Sequence, residues 1–231
     1  TTRQGNPTLT GYVLGSAGND KYVASVTAGT AYAIDHYNVV DLQGDVIVEA
    51  TNVNGGYTES AVEVSDFQFG DGLVNFTAKI SDGYYPVGIN GSKLIYGKGD
   101  STTEVILSGG IYGQVGIQGS QLSLGDGRDS LKVSLSWPNS VWPMVGLNNN
   151  QIDFGAGDDS ATVSLVNAKV QMSSWALTAG TIDLGAGNDS FSIDAVQGMQ
   201  GTTFLGGDGN DTLTIASVML GLDQASIQMG A

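Results

Sequence analysis

The chain has 231 residues, 35 of them glycine, and its 23 Asp and Glu residues outnumber 8 Lys and Arg residues to give a formal net charge of −15. Such a surface repels phosphate backbones and anionic lipid, so we expect neither a nucleic-acid partner nor insertion into a membrane. No cysteine is present, which excludes disulfides and thiolate metal sites. Cations are the partners that the charge favours.

A short pattern recurs along the chain, weakly at first and then regularly. The copies are 14–26, 41–50, 67–80, 94–107, 122–135, 152–165, 182–195 and 203–216. In the last six copies the first glycine of the turn is residue 70, 97, 125, 155, 185 or 207, so the steps are 27, 28, 30, 30 and 22 residues. A repeat of this length is typical of a solenoid. We expect one β-solenoid domain over 1–231, with degenerate N-terminal coils and a cap over 1–66, regular coils over 67–216, and a C-terminal cap or truncated end over 217–231.

The residues after each turn alternate between apolar and polar, as in a strand with one buried face. Leu131, Val133 and Leu135 show this alternation in one copy. A further apolar pair precedes each turn; the pairs are Phe67/Phe69, Leu94/Tyr96, Leu122/Leu124, Ile152/Phe154, Ile182/Leu184 and Thr203/Leu205. Each coil then has two strands flanking a glycine turn and a less regular third side. The pattern predicts an all-β fold, a right-handed parallel β-helix or β-roll-like solenoid of about seven or eight coils.

The turns share the spacing Gly-x-Gly-x-Asp, followed by an apolar residue two places on. This spacing resembles the calcium-binding nonapeptide of the RTX (repeats-in-toxin, hemolysin-type) family, Gly-Gly-x-Gly-x-Asp-x-U-x, in which U is a large apolar residue. Residues 206–214, GGDGNDTLT, match it best, whereas the earlier turns have Leu or Phe in place of the first glycine. The family repeats its nonapeptide in tandem, but here one turn occurs in each coil of 22 to 30 residues. The resemblance implies that calcium lies between the turns of adjacent coils.

The residue types of the turn suit calcium, which binds six to eight oxygen atoms, because glycine allows carbonyl groups to point inward and aspartate supplies charge. Stacked carboxylates without cations would repel one another. The resemblance implies about three to four calcium ions, with ligand roles for Gly125, Gly127, Asp129, Gly155, Gly157, Asp159, Gly185, Gly187, Asp189, Gly207, Gly209 and Asp211. The earlier turns fit less well, because Val74 and Ser101 stand at the aspartate position. Asp153 and Asp183 are expected to form an outward acidic strip.

Two other functions remain open from the sequence. Gly and Asp also dominate ordinary turns, so an ion-free structural solenoid is one alternative. Aromatic side chains suggest another: Trp137, Trp142 and Trp175, with Tyr84 and Tyr85, either fill the core or form a platform for sugar rings. The platform would belong to a polysaccharide-binding or polysaccharide-modifying β-helix.

Catalytic motifs are not recognisable in the sequence. His36 is the single histidine, so it has no histidine partner for a metal site or an acid–base pair. A row of Ser and Thr after the turns would suit an array that organises water, but Lys132 and Glu104 interrupt it. We therefore expect that the protein is not an enzyme.

The resemblance to the RTX family implies a calcium-binding structural module that is secreted by a bacterium or held on its surface. The resemblance implies export by a type I secretion system. The chain would stay loose at low calcium and fold when calcium binds outside the cell. Its expected partners are calcium ions and a cell-surface polysaccharide or another surface protein.

Overall fold

The computed structural model describes residues 11–14, 18–29, 32–35, 37–55, 59–110, 112–137, 142–166 and 173–230. Across these ranges the regular elements are β-strands, and no helix there is long and apolar enough to cross a membrane. The strands are β1 (Gly11–Leu14), β2 (Asp20–Gly29), β3 (Ile34–Asp35), β4 (Tyr37–Leu42), β5 (Val46–Gly55), β6 (Glu59–Glu63), β7 (Asp66–Phe69), β8 (Val74–Ser81), β9 (Pro86–Asn90), β10 (Lys93–Ile95), β11 (Ser101–Ser108), β12 (Gln114–Gln118), β13 (Gln121–Ser123), β14 (Asp129–Ser136), β15 (Met144–Asn148), β16 (Gln151–Asp153), β17 (Ser160–Val166), β18 (Trp175–Thr178), β19 (Thr181–Asp183), β20 (Ser190–Gln200), β21 (Thr203–Leu205), β22 (Thr212–Asp223) and β23 (Ser226–Gln228).

The strands pair in parallel with their counterparts in the coils before and after, so the fold is a parallel β-solenoid with three sides. Side A is the nine-stranded sheet β1, β4, β7, β10, β13, β16, β19, β21 and β23. Side B consists of β2, β5, β8, β11, β14, β17 and the first half of β20, and side C of β3, β6, β9, β12, β15, β18 and the second half of β20. The long strand β20 therefore joins sides B and C into one 14-stranded sheet, and β22 pairs with it along both halves.

The regular part of the solenoid runs from β7 to β21. Matched residues on side A are 66, 93, 121, 151, 181 and 203, so successive coils contain 27, 28, 30, 30 and 22 residues. This is about five turns of about 28 residues, whereas the sequence predicted seven or eight coils in all. The remaining strands lie at the less regular ends. The short last step arises because β20 passes from side B to side C as one continuous strand, whereas in an earlier coil β14 ends at Ser136 and β15 begins only at Met144.

Alternation between apolar and polar residues places one face of each strand in the core, as predicted. Leu131, Val133 and Leu135 are buried, while Lys132 between them is exposed. One predicted pair is wrong: Phe204, and not Thr203 with Leu205, is buried, because Phe204 pairs with the buried Ile182. Gly206 occupies the position of the buried Leu184 of the preceding coil, so the only large buried side chain of this pair is that of Phe204, one residue after the predicted Thr203. A one-residue shift exchanges the two faces of a strand.

Side C was expected to be irregular, and that prediction is wrong. It is built from five-residue strands with the repeated pattern Val-Gly-Ile/Leu-Asn/Gln, as in β9, β12 and β15. The central glycine has a packing role, because a Cβ atom on Gly146 would collide with the Val163 side chain of side B and with the Ala176 carbonyl. This short pattern was not recognised as a strand because only two of its five side chains are large and buried.

A ladder of side-chain hydrogen bonds, which the sequence did not reveal, joins successive coils at the corner between sides C and A. The backbone N–H of Ser65 donates to Ser92 Oγ, that of Ser92 to Ser120 Oγ, and that of Ser120 to Asn150 Oδ1, at 3.1, 3.1 and 2.9 Å. The Asn150 Nδ2 group also donates to the Ile117 carbonyl at 2.8 Å. These side chains replace backbone partners at a buried corner where the strands are interrupted.

Replacement of Asn150 by alanine tests this ladder. Asn150→Ala leaves the Ser120 N–H without its acceptor, so we expect the free energy of unfolding to fall by about 1–3 kcal/mol. Urea denaturation followed by circular dichroism measures the change. The neighbouring exposed residue offers a control, because Gln151→Ala should change stability by less than about 0.5 kcal/mol. Equal effects of the two substitutions would contradict the role of the ladder.

Candidate cation site at the stacked turns

Four Gly-x-Gly-x-Asp turns lie one above another at the corner between sides A and B. The strand register aligns Asp129 with Ser101 of the preceding coil. The residues that directly follow the four aspartates are also in register with one another: Ser130, Ser160, Ser190 and Thr212. The predicted site residues are thus brought together in columns: Gly125, Gly155, Gly185 and Gly207; Gly127, Gly157, Gly187 and Gly209; and Asp129, Asp159, Asp189 and Asp211.

The four aspartates point into the wall of the solenoid, and we call them the inner column. Asp129, Asp159 and Asp189 are only 2, 3 and 2 % exposed. In each case Oδ1 accepts the backbone N–H of the equivalent residue in the preceding coil: Ser101 to Asp129 at 2.7 Å, Asp129 to Asp159 at 2.7 Å, Asp159 to Asp189 at 2.8 Å and Asp189 to Asp211 at 3.1 Å. The carboxylates therefore act as rungs between coils.

The second oxygen of every inner-column carboxylate is left without a partner. Oδ2 of Asp129, Asp159, Asp189 and Asp211 is buried and makes no hydrogen bond. Burial raises the pKa of Asp159 to about 7 and that of Asp129 to about 6, and it also raises the pKa of Asp189. A buried anionic oxygen without a partner costs free energy, which a bound cation or a proton would remove.

Glycine is required in these turns by the close stacking of the coils. Gly155 and Gly157 have φ angles of +87° and +151°, which other residues rarely adopt. A Cβ atom on Gly157 would overlap the Gly127 carbonyl oxygen of the preceding coil. Ala156, between the two glycines, forms bridges with Asp126 and Ala186, so the turn itself continues the parallel pairing. Several turn carbonyls already accept backbone hydrogen bonds across these bridges, as Gly125 does from the Ala156 N–H at 3.0 Å.

An outer column of polar residues, at the position before each aspartate, holds the turns from the solvent side. Oδ1 of Asp100 accepts the N–H of Arg128 at 2.9 Å, and Asp158 accepts that of Asn188 at 2.8 Å. In these bonds the N–H donor belongs to the later of the two coils. In the inner column the donor belongs to the earlier coil. Three pairs of adjacent turns are therefore joined by hydrogen bonds in both directions: 97–101 with 125–129, 155–159 with 185–189, and 185–189 with 207–211.

The N-terminal turns differ in the inner column as the sequence predicted, with Ser101 and Val74 in line with Asp129. The register also places Asp20 in this column, through Val46 and Val74. The repeat pattern in the sequence did not identify Asp20 as equivalent to the inner-column aspartates, because its copy, 14–26, has one extra residue. The polar column is thus interrupted by two valines.

Carboxylates alone do not make a metal centre here. Within the ranges that the structure describes, no three His, Cys, Asp or Glu side chains are close enough to hold a metal ion. A cation at the turns would be held by inner-column carboxylates together with backbone carbonyl oxygens, a donor set that calcium accepts. The four unpartnered Oδ2 atoms are the observation that fits such an ion.

The other predicted candidates are separate from the turns. Asp153 and Asp183 lie on the outer surface of side A in matched register, and each accepts an N–H two residues along its own chain, from Gly155 and Gly185. Trp137 and Trp175 are buried, whereas Trp142 is 44 % exposed. His36 lies outside the described residues.

The three-sided coil and its ladders define the class of this protein, a parallel β-solenoid. The chain matches no protein-family model, no curated protein and no solved structure.

The raised pKa values predict a dependence of stability on pH in the metal-free protein. An unfolded aspartate has a pKa of about 3.9, so between about pH 4 and pH 7 the folded chain holds more protons than the unfolded chain. Stability should therefore be greatest at the acidic end and fall as the pH rises through the pKa values of Asp129 and Asp159. Melting temperatures measured at intervals across this range check the sign.

The variant Asp159→Asn removes one of these titrating groups, and its melting temperature should fall less steeply with pH. Asp208 is an exposed aspartate in the same row of turns, and Asp208→Asn removes the same charge outside the inner column. This control should keep the slope of the unmodified protein. A slope that is equally reduced in both variants would assign the effect to net charge.

Proposed function

We propose that this protein is a calcium-binding structural module, similar in its turns to RTX proteins, in which calcium compensates the inner column. The observation that carries the proposal is the set of four buried Oδ2 atoms without hydrogen-bond partners. Among the described residues, the ion pair nearest to them in sequence, Arg128 with Asp100, lies on the exposed outer column. A small hard cation is a suitable compensating charge.

The residues that would hold calcium are the inner-column aspartates and the turn glycines of adjacent coils. The glycines contribute backbone oxygens, because carbonyl groups have a second lone pair after one hydrogen bond. When bound, the ion supplies positive charge at a place where the carboxylates would otherwise repel one another. The aspartates in turn fix the vertical spacing of the coils through their Oδ1 hydrogen bonds.

Coupled binding and folding follows from this arrangement. The carboxylates come together only when the coils stack, so the unfolded chain has no equivalent site and binding adds to folding stability. At a calcium concentration 100 times the dissociation constant, one site adds about 2.7 kcal/mol. We propose that the chain folds outside a bacterial cell, where calcium is abundant, and reaches that location by type I secretion. The coils are proposed to wind in the right-handed sense that parallel crossover connections favour.

Comparison of the protein in calcium and in a chelator tests this function. We expect three to four bound ions by metal analysis of the purified protein, and a melting temperature in millimolar calcium that is higher than in EGTA. Excess magnesium serves as the ionic-strength control. An identical melting curve in calcium and EGTA, with no bound metal, would favour the ion-free solenoid.

The substitution Asp189→Ala tests which residues hold the ions. Asp189 is stacked between Asp159 and Asp211, so its loss should weaken the two sites that it borders and lower the bound calcium by about half. Asp208→Ala removes an exposed carboxylate from the next turn and is the matched control, which should keep the full calcium content. Equal calcium content in the two variants would show that the inner column is not the site.

A further inference from the structure

A row of aromatic side chains crosses three successive coils where the chain enters side C. Tyr84, Tyr112 and Trp142 occupy equivalent positions two residues before β9, β12 and β15, and Tyr85 lies beside Tyr84. Ring centroids are 4.5 Å apart for Tyr84 and Tyr112, 5.0 Å for Tyr85 and Tyr112, and 5.1 Å for Tyr112 and Trp142. The rings thus form one continuous row, which we call the aromatic row.

The aromatic row is partly open to solvent. Tyr85 and Trp142 are 46 and 44 % exposed, in contrast to Trp137 and Trp175, which are each 8 % exposed. Packing against neighbouring rings holds the side chains in place, so little conformational entropy remains to be lost when a ligand binds. The Tyr112 N–H also donates to the Tyr84 carbonyl at 2.9 Å, which fixes the backbone beneath the row.

Two further rows run parallel to the aromatic one on the outer face of side C. The first is aliphatic and consists of the half-buried Val87, Val115 and Val145. The second is formed by Asn90, Gln118, Asn148 and Thr178, whose side chains are also half-buried. Gln118 makes no side-chain hydrogen bond within the described part of the chain, so its amide has donors and an acceptor available to a ligand.

The part of side C from β9 to β18 is also neutral in a strongly acidic protein, whereas β6, which precedes it, contains Glu59 and Glu63. Strands β9, β12, β15 and β18 contain no Asp, Glu, Lys or Arg, although the chain as a whole carries a net charge of −15. An anionic ligand would be repelled by the protein and would find no basic residue on these strands. Charge therefore favours a neutral ligand.

We propose that the aromatic row and the amide row of side C bind a neutral polysaccharide whose chain runs along the solenoid axis. The apolar faces of sugar rings pack on exposed aromatic side chains, while their hydroxyl groups require hydrogen-bond partners such as the Gln118 amide. The rows repeat at each coil, at the strand spacing of about 4.8 Å. A polymer of identical sugar units matches a surface on which the same contacts recur in order.

Affinity electrophoresis measures this binding. The full chain is run through native gels that contain barley β-glucan or dextran, which are neutral, or polygalacturonate, which is anionic. We expect at least one neutral polysaccharide to retard the protein and polygalacturonate not to. Absence of retardation by both neutral polymers, or equal retardation by polygalacturonate, would overturn the proposal.

Variants then locate the binding surface. Trp142→Ala and Tyr85→Ala should each weaken association by about tenfold or more, and Gln118→Ala should weaken it by a smaller factor. Leu73 is 45 % exposed at the corner between sides A and B, and Leu73→Ala is the control, with unchanged binding. Circular dichroism spectra should match that of the unmodified protein. Unchanged affinity in both aromatic variants would contradict the assignment.

Polysaccharide binding and calcium-dependent folding can be tested separately. Gels are run in calcium and in EGTA, and folding is checked in each buffer. Protein that is folded in EGTA and is still retarded supports polysaccharide binding while it contradicts calcium-dependent folding. Protein that binds calcium but is retarded by neither neutral polymer supports the proposed function and contradicts binding on side C.

Discussion

The register between neighbouring coils is the constraint on which the structure depends. A shift of one residue would exchange the buried and exposed faces of every strand in a coil. Backbone hydrogen bonds do not by themselves distinguish one register from another, but the side-chain ladders do. The inner column, the outer column and the Ser92–Ser120–Asn150 corner ladder each align a specific side chain with a specific backbone N–H one coil away. The register is thereby determined at two of the three corners.

The inner column combines a structural gain with an electrostatic cost. One oxygen of each carboxylate makes a short hydrogen bond to the neighbouring coil, while the other is buried without a partner. Valine occupies the same column at Val46 and Val74, so the stacking of coils does not by itself require a carboxylate at this position. We propose that the aspartates which replace valine along this column serve the calcium ions in addition to joining the coils.

Sides B and C of the coil differ in what they contribute: side B supplies buried strands, and side C adjoins connections of variable length. Side B alternates strictly and supplies most of the long buried strands, such as β11 and β14. Connections from side B to side C vary in length, from residues 82–85 in one coil to none in β20, without loss of pairing on either side. Exposed aromatic residues are placed at these connections, where a large side chain does not have to fit between coils. Side C can therefore present a ligand surface while side B maintains the core.

The sequence alone determined the repeat, the parallel stacking of coils and most of the buried residues. These follow from spacing and alternation, since a glycine turn and a period of two residues are local properties of the chain. The sequence also identified the aspartates of the inner column, because the Gly-x-Gly-x-Asp pattern recurs in each of these coils.

Only the tertiary structure decided where those side chains lie. Each Asp of the inner column accepts an N–H from the preceding coil, and its second oxygen has no partner. Tyr84, Tyr112 and Trp142 form one row. These arrangements depend on how residues about 28 positions apart are placed. The register of β21 was likewise set by pairing of Phe204 with Ile182 and not by its own letters. Contacts across coils depend on the length of every intervening connection, which is why a local pattern does not specify them.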